Sequence, residues 1–88
     1  MKRVRVRIRG RVQGVFFRAE ARERAESLGV AGWIRNARDG SVEAVFEGAD
    51  EQVDSLVEWT RRGPAGARVD EVEAAPEEPA GEVGFQVR

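Results

Sequence analysis

The 88-residue chain contains no cysteine and no histidine. Without cysteine it forms no disulfide, offers no thiolate nucleophile and builds no cysteine zinc site. Without histidine it lacks the commonest general base, the commonest metal ligand and any phosphohistidine intermediate. Whatever chemistry it performs must run on arginine, asparagine, carboxylates and the backbone. A long apolar run is missing as well. The N-terminus, MKRVRVRIRGRV, interrupts its apolar residues with arginine at every second position, which fits neither a secretory signal nor a membrane span. These features predict a cytoplasmic protein. The length suits one domain over residues 1–88 with a modest core.

What is present is charge, unevenly placed. Residues 1–44 carry 11 basic and 5 acidic side chains, residues 45–88 carry 4 and 11, and the total is −1. Such asymmetry reads either as a surface for nucleic acid or membrane, or as two halves that pair with each other.

Val4, Val6 and Ile8 alternate with Arg3, Arg5, Arg7 and Arg9, the period of a strand with one buried and one wet face. From Phe17 the period becomes helical, through Ala21, Ala25 and Leu28, and Gly29 ends the run. Residues 30–36 read as a second strand. Asp39 and Gly40 make a turn into a third over residues 41–47. Asp50 is the expected N-cap of a second helix, with Val53, Leu56, Val57 and Thr60 on one face and a stop at Gly63 and Pro64. Residues 69–74 read as a fourth strand, AAPEEPAG as an exposed loop, and residues 85–88 as a short last strand.

Strand, helix, strand, strand, helix, strand, plus a terminal strand is the α+β, ferredoxin-like split βαβ plan: a mainly antiparallel sheet with two helices on one face. Its first two strands run parallel through a right-handed crossover. Their C-terminal ends therefore share one edge of the sheet, which brings residues 13–18 and Asn36 face to face.

The segment VQGVFFR leads into the first helix without any Ser, Thr, Asp or Asn to satisfy its leading N–H groups. Free amides, the positive end of the helix dipole and a turn at Gly14 form a site suited to phosphate, and Arg18 in the first turn makes electrostatic sense beside an anion. By residues alone the segment also reads as an ordinary connection, with Val15, Phe16 and Phe17 in the core, Arg18 solvated and Asn36 bonding its own backbone.

VQGVFFR followed by GWIRNARDGSVE resembles the acylphosphatase family. The likeness extends through the Gly-Pro and RVDEV stretches to the closing FQVR. The resemblance implies hydrolysis of acyl phosphates to carboxylate and inorganic phosphate, with no metal and no organic cofactor. Arg18 becomes the phosphate-binding arginine, the amides of Gln13, Gly14, Val15, Phe16 and Phe17 its cradle, and Asn36 the residue that orients the attacking water. The implied partner is a small acyl phosphate, with neither nucleic acid nor membrane, and the chain is expected to act as a monomer.

Two other readings share the plan. A nucleic-acid-binding module would use the Arg-rich first strand on the open sheet face, but the aromatic string for base stacking is missing, and Glu43 and Glu47 are placed to neutralise the arginines. A noncatalytic module would recruit a partner at the open face or the last strand.

Overall fold

The computed structural model describes all 88 residues. Seven elements follow one another: β1 (Lys2–Arg11), α1 (Phe17–Leu28), β2 (Ala31–Asn36), β3 (Val42–Gly48), α2 (Asp50–Thr60), β4 (Arg68–Glu77) and β5 (Phe85–Val87). The sheet order is β4-β1-β3-β2-β5. β3 lies antiparallel between β1 and β2, so those two run parallel, and β5 adds a parallel edge beside β2. No helix is long and apolar enough to cross a membrane.

Both helices pack on the sheet face that carries Val4, Val6, Ile8, Ile34, Ala44 and Phe46, and one continuous core results. Phe17 and Trp59 join the helices at 5.2 Å between ring centroids, while Phe46 and Phe85 bring β5 into the same core. Helix α1 matches its sequence pattern: Phe17, Ala21 and Ala25 are buried, and Gly29 turns left-handed at φ 71° so that the N–H of Val30 reaches the Ala25 carbonyl at 2.8 Å. In β1 the strand shifts register between Arg9 and Gly10. There a Cβ on Gly10 would meet the Arg68 carbonyl oxygen at 2.1 Å, so glycine lets the bulge form.

Three expectations are corrected. Asp50 is the first residue inside α2 rather than its cap: Ala49 takes the cap position, its carbonyl accepting from Val53 N–H at 3.0 Å, while the Asp50 carboxylate pairs with the Met1 ammonium at 3.2 Å. The acid still lies at the positive end of the dipole. Second, β4 runs on to Glu77 and takes in half of the AAPEEPAG stretch. Pro76 is tolerated because β4 is an edge strand, bonded on one side only, where a missing N–H costs no ladder bond.

Third, the face away from the helices is not a wet arginine stripe. Arg3 is 8 % exposed, and its guanidinium reaches Glu77 at 3.0 Å and Glu47 and Glu82 at 3.1 Å. Arg5 pairs with Glu43 and Glu77, Arg7 with Glu43, Arg9 with Glu73 and Asp39, and Arg35 with Glu43. Beneath them Val45 and Trp33 are buried, with the guanidinium groups of Arg5 and Arg88 over the Trp33 ring at 5.4 and 4.7 Å from its centroid. Long arginine stems cover the apolar floor, and the carboxylates take up the charge that a nucleic-acid backbone would need. The two charged halves of the chain pair with each other.

Candidate active site

Residues 12–16 carry the chain from β1 to α1. Val12 is fully buried and anchors the start. The Gln13 carboxamide nitrogen donates to the carbonyls of Ala37 and Ser41 at 2.8 and 2.9 Å, stitching the segment to the turn between β2 and β3. That turn is itself locked, since the Asp39 carboxylate accepts from both the N–H and the hydroxyl of Ser41. Gly14 and Phe16 both sit left-handed, at φ 73° and 63°. Phenylalanine there is uncommon, and backbone outliers of this kind gather at binding sites.

The segment leaves its donors open. The N–H groups of residues 13–16 have no acceptor in the protein. Those of Phe17, Arg18 and Ala19 have none within the helix, whose first bond joins Glu20 N–H to the Phe16 carbonyl at 3.0 Å. Successive unpaired amides at the positive end of a helix attract an anion.

Asn36 closes β2 opposite Val42, which pairs in turn with Ile8. Directly paired residues project to the same face, so Asn36 lies on the helix side of the sheet, beside the start of α1. Its carboxamide oxygen is buried without a donor. The ordinary role of bonding its own backbone is therefore not the one it plays, and a buried acceptor left unmet calls for a functional reason. Arg18, one residue into α1, has no Asp or Glu partner. Its Nη1 donates to the main-chain oxygen of Arg88 at 3.0 Å.

Gly14, Phe16, Arg18, Arg22, Asn36 and Val87 line one cleft of about 500 Å³. The structure thus brings Arg18, Asn36, Gly14 and Phe16 to a common space, with Phe17 lining it as well. Gln13 and Val15 stand outside the lining, the first as a tie to the neighbouring turn, the second packed against the core. A larger groove of about 900 Å³ runs between the outer faces of the helices. Its charges neutralise one another, as in Arg24 with Glu20 and Arg61 with Glu58, and it holds none of the open amides. Sequence reasoning missed Val87 and Arg88. The signal was in the topology: β5 runs parallel to β2, so its C-terminal end reaches the same edge of the sheet as Asn36.

The family model for acylphosphatase matches residues 4–87. The chain belongs to the acylphosphatase family. An acylphosphatase of Rubrobacter xylanophilus is 63 % identical, over 99 % of this chain and 80 % of its own. One from Thermococcus kodakarensis is 55 % identical, over 99 % and 98 %. The crystal structure of the acylphosphatase from Bacillus subtilis aligns at a TM-score of 0.95 with 31 % identity, covering 100 % of this chain and 99 % of that one. The acylphosphatase fold is therefore the architecture on which the cleft is built.

Proposed function

We propose that the cleft hydrolyses the carboxyl-phosphate bond of acyl phosphates, and that residues 1–88 form one domain acting as a monomer. The observation that carries the reading is convergence: an arginine without an Asp or Glu partner, residues 14 and 16–19 with unpaired N–H groups, and an asparagine whose carboxamide oxygen has no donor border the same 500 Å³.

Arg18 grips two phosphate oxygens through its planar fork, and the amides of Gly14, Phe16 and Phe17, the members of the 13–17 segment that line the cleft, surround the third. Asn36, lining the cleft, orients a water molecule towards phosphorus, opposite the leaving carboxylate. The oxygen of water bonds to phosphorus as the bond from phosphorus to the acyl oxygen breaks, and its electron pair leaves with the carboxylate. The proton of the attacking water passes to a phosphate oxygen. Because a carboxylate is a good leaving group and the transition state is loose, neither a general acid nor a strong base is required, which suits a chain without histidine.

The test is loss of benzoyl phosphate by the purified chain in the presence of a chelator, followed against Arg18→Ala. Turnover that persists with chelator and collapses in the variant supports the reading. Equal rates in the two proteins overturn it.

A further inference from the structure

Six aromatic residues occur in the chain, and five of them, Phe17, Trp33, Phe46, Trp59 and Phe85, are buried. The sixth, Phe16, is 83 % exposed. Nothing about its backbone demands a ring. The residue is left-handed, its carbonyl accepts the first bond of α1, and its N–H is one of the open donors. Glycine or asparagine would supply all three with less steric conflict. Packing does not explain the ring either, since it contributes nothing to the core.

Position does offer a reason. Phe16 lines the cleft of Arg18 and Asn36, and so does Val87, which keeps 38 % of its surface open. Of four large exposed apolar side chains in the molecule, these two border one cleft. Val87 is held there by its neighbour: the Arg88 N–H bonds the Ile34 carbonyl at 2.8 Å, and the Arg88 main-chain oxygen receives Arg18. The charged lining residue Arg22 is turned to Glu26 at 3.4 Å. Once phosphate has taken the amides and the Arg18 guanidinium, the acyl substituent is the part of the substrate still without a partner, and the exposed rim it meets is apolar.

We propose that Phe16 and Val87 form an apolar clamp for the acyl substituent, so that the cleft prefers aryl and larger apolar acyl phosphates over acetyl phosphate. The inference rests on the acyl phosphate reading above. It is tested by kcat/KM for benzoyl and acetyl phosphate in the wild type, Phe16→Asn, Phe16→Leu and Val87→Ala. Asparagine tolerates the left-handed backbone, and leucine keeps an apolar side chain. The benzoyl-to-acetyl ratio is expected to fall about tenfold in Phe16→Asn, less in Val87→Ala, and to be largely restored in Phe16→Leu. Inhibition by benzoate should weaken in step with the ratio. If both substrates slow together in Phe16→Asn and the ratio holds, the ring serves only the loop and the clamp is overturned while the activity stands. A wild type that turns over neither substrate overturns the acyl phosphate reading and the clamp with it.

Discussion

Arg18 shows how one side chain takes its meaning from the backbone around it. Nine of the fourteen arginines meet an Asp or Glu carboxylate; the Arg18 guanidinium instead faces a cleft, with a main-chain oxygen for company. A lysine at this position would keep the charge and lose the two-pronged grip. Arg18→Lys should therefore lower kcat/KM for benzoyl phosphate by about 100-fold or more, on the scale seen when one oxyanion donor is removed, with unchanged circular dichroism. Asn36 is expected to divide the kinetic constants differently. Under the proposed mechanism, in which the carboxamide serves the water and not the bound anion, Asn36→Ala should reduce kcat by about 100-fold while the inhibition constant of inorganic phosphate moves by no more than about threefold. The reverse split, phosphate affinity lost and turnover kept, would exchange the two roles.

Among the elements, β5 depends most on contacts from elsewhere. It is three residues long, and the segment before it is fastened by Glu47, which is 4 % exposed and accepts from the N–H groups of Ala80, Gly81 and Glu82 at 2.8, 2.8 and 2.9 Å while also bonding Arg3. Since β5 delivers Val87 and Arg88 to the cleft, Glu47→Gln should loosen a distant part of the site. It should speed hydrogen exchange at Ala80, Gly81 and Glu82 and weaken phosphate inhibition several-fold, whereas the exchange of β1 amides stays slow. This clasp explains what the sequence conceals. Helix α1, the parallel pair β1 and β2 and the meeting of Arg18 with Asn36 follow from periodicity and topology, both of which are local or combinatorial. The cap of α2, the length of β4 and the docking of β5 depend on tertiary partners: an ammonium for Asp50, an edge position for Pro76, a carboxylate from another strand for residues 80–82. No pattern within those segments encodes such partners.

At the scale of the molecule, the charged layer on the open face makes folding sensitive to acid. Hydrogen bonds from the Ala80 amide first, then Arg3, hold the Glu47 carboxyl below its usual range, and Arg5 and then Arg3 do the same for Glu77. Burial pushes Glu43 up, yet Arg35 and Arg5 outweigh it, and the Ser41 hydroxyl draws Asp39 well below the ordinary carboxylate range. Groups with depressed values in the folded state stabilise it above the unfolded pKa, near 4 to 4.5, and that contribution fades as pH falls through the folded values. Urea midpoints should thus stay level from pH 7 to about 5 and then drop steadily. Arg3→Met should lower the midpoint at pH 7 and flatten the decline, and a variant as acid-sensitive as the wild type would contradict this assignment. The loop wrapped on Glu47 carries one more consequence. It is an anion receptor that the protein has filled with its own side chain, a counterpart of the phosphate cradle proposed at residues 13–17. Adding inorganic phosphate should slow exchange most strongly at residues 13–17 and, by reciprocity with the Glu47→Gln effect, more weakly at residues 80–82, so a single spectrum ranks the two.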